Sequence, residues 1–170
     1  MGLVGLDREV GIGILKEIKK DYTTAEEWLL YYPARLKQYH SDLNYISTET
    51  RVPEACVSAG YGNVVLQKVI SLAELEKTER WLIAIEIVHS MLGPKKSLFL
   101  ELRRKAAYIN KTVNGREVWR SFVQTHYSET MAEEYNTTLD KFWLHDNTIT
   151  HWWNEIVSLV RLVALKKGCL

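Results

Sequence analysis

Leu75, Thr78, Leu82, Ile85, His89 and Leu92 recur at alternating spacings of three and four, a repeat that gathers them onto one side only if the backbone is helical. The pattern runs from Val64 to Leu92, and comparable stripes lie on both sides of it. Val10, Ile14, Leu15 and Ile18 share a face in a first candidate helix over 7–21. Thr24 followed by Glu27 has capping-box spacing and predicts a helix start, continuing through Trp28, Leu29 and Tyr32. Pro33 removes a backbone donor and crowds the preceding turn, so the helix kinks or restarts there, with Leu36, Tyr39, Leu43 and Ile46 as the next stripe. These segments form an expected N-terminal hairpin over 1–50. Pro53, Gly60 and Gly62 among small residues mark a linker over 51–63, ahead of a second unit over 64–170.

After Gly93, Pro94 is suited to a first helical turn. The helix it opens points Leu98, Phe99, Leu102, Ala106 and Ile109 inward and its basic residues outward. Asn114-Gly115 reads as a turn, GREVWRSFVQTHY as a helix, Ser128 to Asn136 as a separate short one, and TTLDKFWL as an irregular bridge. A final helix is expected from about Asp146 to Lys167, closed by Gly168. No alternation of strand type persists, so the predicted class is all-α.

Charge is uneven. Residues 1–90 carry 10 basic and 13 acidic side chains, hence −3, and residues 91–170 carry 12 and 8, hence +4. Between Leu92 and Arg120 eight basic residues face only Glu101 and Glu117, which hints at a polyanion partner. A solvated helix face explains the same cluster. Two cysteines, Cys56 and Cys169, are too few for a disulfide framework and too isolated for zinc; Cys56 reads as packing and Cys169 as a tail residue. Charges at Asp7, Arg8 and Glu9 occupy the place of a signal peptide's apolar region, and no apolar run approaches a membrane span. A soluble, cytoplasmic protein without membrane contact is the expectation.

The last helix begins HDNTITHWWN and only then turns apolar. Asp146 is its expected N-cap. Ile149, Trp152 or Trp153, Ile156, Val160 and Val163 share the buried face, which leaves Asn147, Thr148, Thr150, His151 and Asn154 outward on the first two turns. Their donors and acceptors suit base edges in a major groove, where helix-turn-helix proteins place the start of the second helix. Arg161, Lys166 and Lys167 would meet phosphates. An ordinary amphipathic helix behind an N-cap also begins with polar residues.

TMAEEYN followed by TITHWWNEIVSLVRLVALKKG resembles the helix-turn-helix of phage late-gene transcriptional regulators of the RinA and ArpU kind, itself similar to region four of sigma factors. Ala132, Thr148, Ile149, Trp152 and Gly168 occupy the matching places. GPKKSLFLELRRKA, GREVWRSFVQTHYSE and YYPARLKQYHSDL are similar to other helices of such regulators. The segment YNTTLDKFWL departs from the family's tight turn and is accommodated as a longer loop or wing. The resemblance implies a DNA-binding domain with its helix-turn-helix at about 115–168, in a protein of the bacterial host cytoplasm that binds promoter DNA and acts with host RNA polymerase. It adds Arg116, Arg120 and Lys141 to the backbone contacts.

Two other classes compete. One is a phage small terminase subunit, which tends to place its helix-turn-helix first and assembles as a ring. The other is a helical protein-interaction module, with the 75–92 seam as a partner or dimer face. An enzyme is not expected: His40, His89, His126, His145 and His151 lack ligand spacing, Glu133 and Glu134 diverge on a helix, and phosphate-loop and nucleophile motifs are missing. No cofactor or metal is predicted, and a homo-oligomer is compatible with all three classes.

Overall fold

The computed structural model describes the backbone of residues 3–49, 61–109, 112–113 and 116–170, and the side chains of residues 11–46, 71–109 and 118–170. The described chain is all-α: α1 (Leu3–Leu30), α2 (Tyr32–Glu49), α3 (Tyr61–Met91), α4 (Pro94–Ala106), α5 (Val118–Glu134) and α6 (Asp146–Lys166). Two residues each of β1 (Thr112–Val113) and β2 (Arg116–Glu117) pair antiparallel before α5, and a 3-10 turn over Leu139–Phe142 precedes α6.

The 75–92 seam faces inward. Leu82, Ile85 and Val88 are buried with Trp81, which stacks on Trp28 of α1 at 5.2 Å between ring centroids. Burying such side chains stabilises by about 1.5–3 kcal/mol each, enough to hold long helices whose intrinsic stability in water is marginal. Ala25, Leu29 and Leu30 of α1 belong to the same core as Phe99 and Leu100 of α4, Val123 and Tyr127 of α5, and Ile149, Ile156 and Val160 of α6.

Several boundaries differ from the sequence expectations. Helix α1 is continuous through Thr24, so the Thr24–Glu27 pair does not open a helix. Its C-terminal half lies along α6 and is buried there, and that packing outweighs a local cap signal. The restart before Pro33 is observed, with α2 beginning at Tyr32. Helix α3 begins at Tyr61, and the remainder of the expected linker, Cys56 included, lies outside the described residues. Ser128 to Asn136 is not a separate helix. It continues α5, because Val123, Tyr127 and Met131 form one buried stripe. The expected helix over GREVWRSFVQTHY starts only at Val118, since Arg116 and Glu117 pair with the preceding strand.

Helix α6 ends in a left-handed turn. Gly168 has φ +68, its N–H donates to the carbonyl of Leu165 (3.1 Å), and the Cys169 N–H reaches back to Ala164 (2.9 Å). This Schellman closure tucks Cys169 into the core, so Cys169 is a packing residue and not a free tail.

Candidate nucleic-acid interface

Two tryptophans explain why α6 passes through WW before its apolar run. Trp153 is buried toward α1 and α4, its indole N–H donating to Glu26 Oε1 at 3.2 Å. Trp152 is half-buried and meets Phe99 of α4 edge-on at 5.7 Å and Tyr127 of α5 at 6.0 Å. Together with Ile149 they fix the leading end of α6 to three helices, so its outward side is presented rigidly.

That outward side carries most of the expected base-reading residues. Asn147, Thr150, His151 and Asn154 are exposed, and Thr148 is half-buried beside Ile149. Asn147, His151 and Asn154, spaced four and three apart, form one stripe. Thr150 flanks it: its hydroxyl accepts from Arg120 Nη1 at 2.9 Å and donates to the carbonyl of Asp146 at 2.9 Å. The same Arg120 guanidinium lies over the Trp119 ring at 4.8 Å. Asp146 is the first helical residue, and the N-cap is His145. Its carboxylate accepts instead from Gln124 Nε2 of α5 (3.1 Å), which also donates to Leu144 O (3.0 Å). This bond ties α5 to the start of α6 and draws the carboxylate away from the helix's own N–H groups.

The expected backbone contacts are scattered. Arg120 adjoins the stripe. For Arg116 only the backbone is described, opposite Val113. Lys141 is exposed in the 3-10 turn. Arg161 faces α1, 3.8 Å from Asp21 and over the Tyr22 ring at 5.2 Å. Lys166 and Lys167 are exposed at the other end of α6, about 24 Å along the axis from Thr150. A surface that touches all of them at once would have to wrap around the helix.

The basic segment 92–120 also divides. Lys95 and Lys105 are exposed, but Arg103 and Arg104 are each only 8% exposed, which corrects the expectation that α4 turns its basic residues outward. Arg103 sits between aromatic rings, 4.2 Å from the Trp119 centroid and 4.9 Å from Trp153, with Glu26 at 3.9 Å. Arg104 donates through Nε to Leu29 O (2.9 Å) and through Nη1 to His89 Nε2 (3.0 Å). Nothing in their spacing distinguished them from the solvated cations beside them; only the aromatic residues brought from other helices do. Lys96 pairs with Glu155 of α6 at 2.5 Å, and His151 lies 3.8 Å from the same carboxylate.

Between the end of α5 and the 3-10 turn, the chain leading to α6 forms an open groove of about 670 Å³ lined by Glu129, Ala132, Glu133, Thr137, Leu139 and Asp140, among others. It is acidic. Asn136, at φ 48, makes the left-handed turn that ends α5 and shapes the groove's rim.

Among the described residues no group of three or more His, Cys, Asp or Glu side chains is placed to hold a metal, and no helix is long and apolar enough to cross a membrane. Comparison with family models, curated proteins and solved structures finds no match for this chain.

Proposed function

We propose that the protein binds duplex DNA sequence-specifically through the first two turns of α6, as a transcriptional regulator. The observation that carries this reading is the stripe of Asn147, His151 and Asn154, exposed and amide-rich, on a helix held from behind by Ile149 and Trp153. Asparagine pairs well with adenine edges, and a rigid support makes such pairing selective. Arg120, bonded to Thr150, adjoins the stripe and supplies a phosphate contact. Action on phage late promoters with host RNA polymerase is the part of the proposal that rests on the sequence resemblance alone.

Asn147→Ala with Asn154→Ala tests it, because both side chains are exposed and their loss leaves the core intact. With duplexes tiled from the gene's own genomic neighbourhood, fluorescence anisotropy should show wild-type selectivity for one tile. The double variant should lose about 1–3 kcal/mol of that preference per base contact, or about 5- to 150-fold. So few cations adjoin the stripe that log affinity should fall against log salt with a slope of only about −2 to −3. Equal binding of all tiles by wild type would refute the reading.

A second reading, a helical protein-interaction module, is favoured by one observation: Arg103 and Arg104 are spent inside the molecule while the groove at the α5–α6 connection is acidic.

A further inference from the structure

Two exposed patches lie at opposite ends of α6, and each carries what the other lacks. We infer that the protein associates with copies of itself head to tail, the α1–α6 end of one copy seating on the α5–α6 connection of the next.

Helices α1 and α6 run antiparallel. Trp153 meets Glu26, Ser158 meets Tyr22 (2.6 Å between hydroxyls) and Arg161 meets Asp21. Continued in the same register, the pairing brings Ile14 and Leu15 alongside Leu165, which is exposed although the neighbouring Ala164 is buried. Leu15 is 67% exposed and Leu162 52%, and Ile14 and Leu165 are exposed with them. Lys16, Lys19, Lys20, Lys166 and Lys167 are exposed in the same two segments, against the single carboxylate Glu17 in 14–20 and 162–167.

At the other end Leu139, half exposed, lines the groove already described, and Tyr135 (57% exposed) and Trp143 (47%) lie along the same α5–α6 connection. The groove's charges are Glu129, Glu133 and Asp140, with Glu134 and Lys141 next to them in sequence. The 21 residues of α6 hold the two patches about 30 Å apart, so one molecule cannot satisfy both on itself.

Charge decides which occupant each patch takes. A symmetric contact made through one patch alone would set lysines against lysines or carboxylates against carboxylates, juxtapositions that cost affinity. A heterologous contact brings five lysines to four carboxylates and covers both sets of apolar side chains. Exposed apolar patches with a charged rim are the usual surface of such contacts. Repetition of a head-to-tail contact closes into a ring or extends into a chain.

Sedimentation velocity on the full chain free of nucleic acid tests this. Wild type should form species larger than a dimer as concentration rises, and salt should disperse them. Lys166→Glu with Lys167→Glu, and separately Glu133→Lys with Asp140→Lys, should each weaken association by at least about tenfold. An equimolar mixture of the two charge-reversed proteins should associate again, since every contact then pairs opposite charges. Leu162→Asp and Trp143→Asp, both at exposed positions, should weaken association without charge reversal, and unchanged circular-dichroism melts for all variants show that the fold is kept. A wild-type monomer at every concentration and salt, a symmetric dimer as the end state, or a mixture that stays monomeric would each overturn the inference.

Discussion

Trp153→Ala should destabilise the protein by about 3–5 kcal/mol, the loss typical of a buried large aromatic side chain. For a chain of this length that lowers the midpoint of thermal unfolding by about 10–15 °C. Trp153 does three things at once. It fills the core between α6, α1 and α4, donates its indole N–H to Glu26, and forms one wall of the aromatic enclosure around Arg103. Alanine leaves a cavity, removes the indole donor from Glu26 and leaves a buried guanidinium with one aromatic face. Trp153→Phe keeps the ring and loses the donor, so it should cost only about 1–2 kcal/mol. Circular-dichroism melts of the two variants separate these contributions; equal effects would mean that the hydrogen bond, not the volume, holds α6 in place.

Arg104→Ala should cost about 3 kcal/mol, from an orphaned carbonyl at Leu29 and the lost packing of the arginine stem. It should also alter the response to acid. Arginine has only donors, so His89 Nε2 must accept from it, and the ring is neutral with its proton on Nδ1. Burial first, and the Arg104 charge second, push the His89 pKa below its ordinary 6.5. The unfolded chain therefore takes up this proton more readily than the folded one. His89 withdraws stability as pH falls through about 6.5 toward its lower folded value, and the withdrawal is complete below that value. In Arg104→Ala the charge contribution disappears while desolvation remains, so the acid loss shrinks without vanishing. Denaturant unfolding at pH 5 and pH 8 measures it as the difference between wild type and variant.

The helical class, the inward seam of α3 and the inner face of α4 were legible because they depend on spacing within one segment. Leu82, Ile85, Phe99 and Leu102 are all buried, as their periodicity requires. The closing helix was equally legible, and Ile149, Ile156 and Val160 lie inward. What escaped the sequence depends on partners far along the chain. Arg103 and Arg104 look like solvated cations until Trp119, Trp153, Tyr32 and His89 arrive from other elements. Arg161 has the spacing of a phosphate contact, yet Asp21 and Tyr22 of α1 claim it. Leu162 and Leu165 remain outside because they lie off the buried stripe of Ile156, Val160 and Ala164, which continues inward beside them. Within the candidate interface, the sequence anticipated that Asn147, Thr150, His151 and Asn154 face out on the first turns, while Thr148, expected with them, is half-buried. It did not anticipate that their cationic companions would be so few.

The most direct measurement places a photoreactive benzophenone amino acid at position 151, and in a second protein at position 162, on the same helix and both exposed. Irradiation with the selected duplex should yield protein–DNA adducts from position 151 and none above background from position 162. Adducts from 162 alone, or from neither position while the duplex is bound, would contradict the claim that the leading turns of α6 are what the protein presents to DNA.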